Sequence, residues 1–214
     1  MSDPIDSITC QLNNLLERSG FARISDITGD RFGSYLALLL RWNSRINLTS
    51  IRDVDGILSR HFAESIACAQ LLPSAIATLL DFGSGAGFPG IPIALCRAEI
   101  AVTLAESQQK KASFLRECTR VLGLATQVHL GRAESIAANF DCVTLRAVDR
   151  MSDAVRAACA LVDVGGWLAI MTTSNELPTV GSLLGENFPC SDPVNLPGGG
   201  SRVLLLVQRI EVAK

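Results

Sequence analysis

The segment Thr78-Leu79-Leu80-Asp81-Phe82-Gly83-Ser84-Gly85-Ala86-Gly87-Phe88-Pro89-Gly90 constrains the fold of this chain more than any other. An apolar run of strand length carries an acid near its carboxyl end. Closely spaced glycines follow, and Ile91-Pro92-Ile93-Ala94-Leu95 then begins a helical pattern. Glycine accepts positive φ and lets the backbone approach a ligand. The free amides and positive dipole end of a helix start suit an electron-rich or anionic group. The segment therefore predicts a strand, a tight turn and a helix, with a ligand at the strand's carboxyl end and Asp81 placed to hold a positively charged part of it. Glycines alone fit a bare turn equally well; the acid and the spacing tilt the balance toward a site. Pro89 and Pro92 preset the helix start, and Phe88 offers an apolar wall.

The period of the hydrophobic pattern divides the chain in two. Helical spacing dominates up to about residue 75, with stripes over 5–18 (Ile5, Ile8, Leu12, Leu15, Leu16), 31–45 (Phe32, Tyr35, Leu36, Leu39, Leu40, Trp42) and 53–72 (Ile57, Leu58, Phe62, Ile66, Ala69). Gly20 and Pro73-Ser74 are stops, and Asp53 or Asp55 is an N-cap candidate. From Thr78 onward, strand-like runs at 78–82, 101–105, 127–130, 141–147 and 167–172 alternate with helical stretches at 91–97, 109–122 and 152–161. That alternation predicts an α/β fold with a mostly parallel sheet covered on both faces. The run 202–207, behind Pro197-Gly198-Gly199-Gly200-Ser201, predicts an antiparallel edge.

A chain of 214 residues, 48% hydrophobic and 19% charged, can bury a full core, and no apolar run is long enough to span a bilayer. The start Met1-Ser2-Asp3-Pro4-Ile5-Asp6 has no signal-peptide pattern, so a cytoplasmic protein with no membrane partner is expected. Its seven cysteines (Cys10, Cys68, Cys96, Cys118, Cys142, Cys159, Cys190) form no C-x-x-C pair, and only His61 and His129 accompany them. A reducing compartment, no metal site, and cysteines used mostly as small core residues are the expectation. The net charge of −2 leaves any RNA contact to a local basic patch.

Gly85-x-Gly87-x-x-Gly90 also satisfies the dinucleotide fingerprint, which keeps a nicotinamide-dependent oxidoreductase among the readings. The frame from Asp81, acid-x-Gly-x-Gly-x-Gly, instead resembles the first motif of Rossmann-like methyltransferases. Glu106 ends the second strand, where a carboxylate accepts hydrogen bonds from ribose hydroxyls of either cofactor. Gly131-Arg132-Ala133-Glu134 follows the third strand, and Arg146 ends the fourth on an otherwise apolar run. Burying an arginine unpaired is expensive, which favours a site role for it. Arg41, Arg45, Arg52 and Arg60 with His61, and Lys110, Lys111, Arg116 and Arg120, form two basic groups. Each is either a solvated helix face or a phosphate-attracting flank.

Trp42-Asn43, Asn47-Leu48-Thr49-Ser50, Arg60-His61, Glu64-Ser65, the run Asp81 to Pro92 and Leu145-Arg146-Ala147 together resemble the bacterial RsmG (GidB) methyltransferases, from about residue 30 to Val207. The Gly-Phe-Pro-Gly-Ile-Pro continuation is more specific than the glycines. The resemblance implies a Rossmann-like class I methyltransferase fold, with an N-terminal helical region at 1–75 and an S-adenosylmethionine-binding domain at 76–214. The two regions can pack as one domain. It also implies methylation of a guanine N7 in the decoding-region loop of 16S ribosomal RNA, on the RNA or the small subunit; a monomer is expected, although the sequence itself leaves self-association open.

S-adenosyl-L-methionine is the implied cofactor. Gly83, Phe88, Ala133, Glu134 and Arg146 are its implied contacts, beside Asp81, Gly85 and Glu106 from the motif itself. Arg132, Arg146 and Arg202 form an implied basic rim for RNA, to which His61 and Arg52 are added, with Arg146 positioning the reactants and no general base required. Glu106 stands where an aspartate is frequent, Thr172-Thr173 where Lys-Gly is common, and Val148 where an aromatic is common. A methyltransferase acting on a small molecule or a protein, and a noncatalytic RNA-binding module, are the remaining alternatives.

Overall fold

The structure, a computed structural model, describes residues 4–148, 150–189 and 191–211, with the side chains of residues 4–7 excepted. The Ile5 position of the first helical stripe and Cys190 lie outside the described side chains. Three helical stretches come first: α1 (Pro4–Arg18), α2 (Asp26–Asn43), and a third whose segments are α3 (Val54–Gly56), a π-helical segment (Ile57–Ala63) and α4 (Glu64–Leu71). Helix α2 starts earlier than the hydrophobic stripe because Ser25 caps it, its Oγ accepting from Thr28 N at 3.2 Å. Asp53 caps α3, accepting from Gly56 N at 2.6 Å.

Strands β1 (Thr78–Phe82), β2 (Ala101–Glu106), β3 (Gln127–Leu130), β4 (Phe140–Arg146), β5 (Val162–Thr173), β6 (Val194–Asn195) and β7 (Arg202–Gln208) form one sheet in the order β3-β2-β1-β4-β5-β7-β6. Pairing is parallel through β5 and antiparallel from β5 to β7 and β7 to β6. Helices α5 (Gly90–Cys96), α6 (Gln109–Val121) and α7 (Met151–Leu161) are crossovers, and α8 (Leu177–Leu183) follows β5. The sequence pattern locates every strand of the sheet except the two-residue β6. It misses α8, whose start is held by Glu176: Thr172 Oγ1, Thr173 N and Thr173 Oγ1 all donate to Glu176 Oε2. Thr172-Thr173, in the place of Lys-Gly, therefore performs a local capping task.

Side chains alternate across the sheet. Leu79 and Cys142 join the first helices, α5 and α6 in one apolar cluster, whereas Leu80, Val143 and Leu145 join α7 and the β7 side in another. Leu12, Tyr35, Phe62 and Ile91 belong to the same cluster as Leu79, so helical first third and sheet share a core. Strand β1 is central, with β2 on one side and β4 on the other. The chain switches direction across the sheet between β1 and β4, and in open α/β sheets such a switch opens a crevice at the strands' carboxyl ends.

At Gly90, α5 packs closely against β1 and β2. A Cβ there would lie 2.3 Å from Leu104 Cδ2 and 2.7 Å from Asp81 Oδ2. Gly90→Ala should lower unfolding free energy by about 2 kcal/mol through overpacking, and a denaturant titration followed by circular dichroism checks this.

Candidate functional site

A cleft of about 860 Å³ opens at the carboxyl ends of β1, β2, β3 and β4, within the size range of small-molecule sites. Its walls include Gly83, Ser84, Gly85 and Phe88 after β1, Glu106, Ser107 and Gln108 at the end of β2, and Gly131, Arg132, Ala133 and Glu134 after β3. Arg146, Ala147 and Val148 come from the end of β4. The helical first third contributes Leu48, Thr49, Ser50, Ile51 and His61, and β7 contributes Arg202. One cleft thus collects Gly83, Gly85, Phe88, Glu106, Arg132, Ala133, Glu134, Arg146, Arg202 and His61.

Two expected site residues are not on its walls. Asp81 is buried within the first apolar cluster's side of β1, where Oδ1 accepts from Thr144 Oγ1 at 2.8 Å and Oδ2 from Gly90 N at 3.2 Å. Burial pushes its carboxyl up to about 6 against those hydrogen bonds. Asp81 therefore holds the glycine turn onto the start of α5; it does not present a charge to the cleft. Arg52 is exposed and donates to Asn47 Oδ1 at 3.4 Å.

The glycine turn is shaped for close approach. Gly85 has φ of +57°, and a Cβ there would meet nothing nearer than Gly83 O at 3.8 Å, so the space above it is open. Gly85 N donates to Glu106 Oε2 at 2.9 Å, and Gln108 N donates to Glu106 Oε1 at 2.7 Å. Each oxygen keeps acceptor capacity, because an ionised carboxylate offers about four lone-pair sites. Glu106 thus ties the β1 turn to the β2 turn and remains an acceptor on the cleft wall.

The opposite end is built around Arg146, whose side chain is 7% exposed. The π-helical segment aims two acceptors at its Nη2, the Arg60 carbonyl oxygen and His61 Nδ1 at 3.1 Å, and the first residue of α4 adds Glu64 Oε2 at 3.0 Å. Widened π turns recur at functional sites. Glu64, 1% exposed, also accepts from Arg60 Nε at 3.0 Å. Burial raises its carboxyl above the usual range, opposed by Arg146, Arg202 and Arg60. Burial likewise lowers Arg146, with Glu64 opposing.

Among the described residues, Arg146 Nε and Nη1 make no hydrogen bond, yet no buried side-chain nitrogen or oxygen there lacks a partner. Those two nitrogens are therefore open to the cleft. Phe88 packs beneath the group, its ring centroid 5.7 Å from the guanidinium carbon and 4.6 Å from the His61 ring at an interplanar angle of 17°. Burial and then the charges of Arg146, Arg60 and Arg202 hold the His61 imidazole down to about 3, so it is neutral at pH 7.

Sequence reasoning gave no role to Glu64, Thr49 or Arg150. An acid four residues after Arg60, within a helical stretch otherwise striped with apolar residues, was the available signal for Glu64; Arg150 offers none. Arg150 and Lys111 reach the cleft rim. Ala147, at φ of +47°, turns the chain sharply after β4 and leaves Arg146 at the edge.

The strand order, parallel through β5 with β7 antiparallel beside it, is that of the class I methyltransferase architecture, and the cleft lies at its switch point. Residues 29–179 match the GidB family, described as rRNA small subunit methyltransferase G. The chain is 36% identical over 194 residues to the Ribosomal RNA small subunit methyltransferase G of Roseiflexus sp. (strain RS-1), covering 85% of this chain and 83% of that protein. It is 34% identical over 215 residues to the protein of the same name from Geobacillus kaustophilus, covering 94% and 90%. Among solved structures, a Thermus thermophilus 16S rRNA N2 G1207 methyltransferase in complex with AdoMet and guanosine superposes with a TM-score of 0.54 at 18% identity. That superposition covers 71% of this chain and 40% of that one. The chain belongs to the GidB family of small-subunit rRNA methyltransferases.

His61 makes stability sensitive to acid. Its unfolded value of 6.5 exceeds the folded value of about 3, so the unfolded chain binds more protons between those limits. Stability from this group is complete above pH 6.5 and is lost as pH falls toward 3. Asp81 acts in the opposite sense below pH 6 but is common to wild type and variant. Between pH 7 and 5 the wild type should lose about 2 kcal/mol more than His61→Gln. Urea titrations of both proteins at the two pH values check the difference.

Proposed function

We propose that the protein uses S-adenosyl-L-methionine to methylate N7 of a guanine in 16S ribosomal RNA, acting on the small subunit or its RNA in the cytoplasm. The observation that carries this reading is the meeting, in one cleft, of the Gly83–Gly85 turn, Glu106, Ala133-Glu134 and the half-free Arg146 beneath a rim of Arg132, Arg202, Lys111 and Arg150. The open space over Gly85 and the spare acceptor capacity of Glu106 fit an adenosyl group. Glu106 would accept from its ribose hydroxyls. Ala133, small and buried, with Glu134 would bound the adenine. Arg146 Nε and Nη1 would pair with an anionic group, the methionine carboxylate or a phosphate. Phe88 would wall the reacting end.

S-adenosylmethionine, when bound, supplies an electrophilic methyl on a sulfonium centre. Guanine N7 carries a free lone pair on the major-groove edge, so no residue has to remove a proton first. The neutral state of His61 accords with that chemistry, since another positive charge would oppose a product base that is cationic. What the protein contributes is alignment, and holding the nucleophile in line is worth up to about 7–11 kcal/mol. Glu64, the Arg60 carbonyl and His61 fix the guanidinium of Arg146 from behind, so its open edge faces the reactants in one orientation. The basic rim offers phosphate contacts that position RNA without reading its sequence.

Calorimetric titration with S-adenosylmethionine and with NAD separates this reading from a dehydrogenase; binding of NAD alone overturns it. Mass mapping of 16S rRNA from a strain deleted for the gene should show loss of one N7-methylguanine, restored by the wild-type protein. An unchanged RNA refutes the substrate. Arg146→Ala should lower kcat by about 10²–10³, the scale seen when one positioned donor is removed. Because that variant leaves Glu64 buried with only Arg60, its melting temperature should fall as well, and assays belong well below that midpoint.

A further inference from the structure

Thr49 lies between α2 and α3 on the cleft wall, half-buried. Its Oγ1 is 2.7 Å from His61 Nε2 and accepts from Ile51 N at 3.2 Å. On the far side of the ring, His61 Nδ1 stands 3.1 Å from Arg146 Nη2. A guanidinium only donates. Nδ1 is therefore the acceptor, and the single proton of the neutral imidazole sits on Nε2, from which it is donated to Thr49. Together with the Ile51 amide, this fills both lone pairs of the hydroxyl. The Thr49 proton must then point elsewhere, and among the described residues Thr49 Oγ1 has no acceptor. The turn is pinned by Asn43, whose Oδ1 accepts from Leu48 N at 2.9 Å and Thr49 N at 3.1 Å. Stacking on Phe88 fixes the ring.

We propose that Thr49 is a specificity-determining residue whose hydroxyl, made an obligate donor by the Arg146–His61 relay, donates to O6 of the substrate guanine. This rests on the N7-methylation reading above. On the major-groove edge guanine shows two acceptors, N7 and O6, whereas adenine shows N7 beside an amino donor. A fixed donor beside N7 pairs with guanine and meets adenine donor to donor. A hydroxyl free to rotate would accept from adenine equally well, so the relay is what turns threonine into a discriminator.

The test is a kinetic cycle on small subunits reconstituted with 16S rRNA carrying either guanine or 2-aminopurine, which lacks O6, at the methylated position. With guanine, Thr49→Val should lose about tenfold in kcat/KM, and Thr49→Ser should stay close to wild type. With 2-aminopurine, wild type and Thr49→Val should be equal. The affinity of Thr49→Val for S-adenosylmethionine should match wild type. Equal losses on both RNAs, or a loss confined to S-adenosylmethionine binding, overturn the assignment to Thr49 while leaving N7 methylation intact. A product other than N7-methylguanine removes both. Nitrogen NMR of His61 in the wild-type protein provides a readout independent of activity and of variant folding: Nδ1 should be unprotonated, and a proton on Nδ1 refutes the relay.

Discussion

The buried pair between Arg146 and Glu64 joins the two halves of this protein. It links the end of β4 to the helix that carries the π-helical segment, and the cleft lies where the two meet. Taking both charges out of water is costly, and the cost is offset only because the hydrogen-bonding partners are numerous. Glu64 receives Arg60 as well as Arg146, and Arg146 Nη2 meets the Arg60 carbonyl and His61 besides. Removing one partner would strand the other. A pair of this kind is weak evidence for stability and better evidence for fixed geometry, because it leaves one orientation for the open edge of the guanidinium.

The same economy governs the other end of the cleft. Asp81 and Glu106 are both carboxylates at strand ends, yet they perform different tasks. Asp81, on the face of β1 that turns into the core, is consumed by Thr144 and the Gly90 amide. Glu106 makes two backbone contacts and still faces the cleft. One shapes the turn, and the other keeps acceptor capacity on the cleft wall. The neutral His61 belongs to the same plan, since burial first, and then the charges of three arginines around it, exclude a fourth positive charge.

Most of the fold was legible because strand and helix periods differ so clearly after Thr78. Strands β1 and β3 match their expected bounds, and the antiparallel edge follows from the glycine-rich connection before β7. The helical third was less so. The start of α2 depends on a cap at Ser25 outside the apolar stripe, and a helical periodicity over 53–72 does not reveal that its middle is π-helical. Within the site, the glycines, Glu106, Ala133 and Arg146 could be placed from motif spacing. Glu64 and Thr49 could not, since Glu64 meets a partner 82 residues away and Thr49 meets His61 only once the helices have packed.

By itself, the sequence determined a parallel α/β sheet, a glycine turn at the carboxyl end of its first strand and an acid closing the second. These are local matters of period, backbone freedom and turn chemistry, and together with the residues after the glycines they pointed to the family. Only the tertiary structure decided what each charge does. Whether a carboxylate is spent inside or offered to a ligand depends on which face of the sheet it occupies and what packs there. Whether an arginine is free depends on how many of its nitrogens the neighbouring helix already holds. Those outcomes are set by contacts between residues far apart in the chain, which no spacing rule contains.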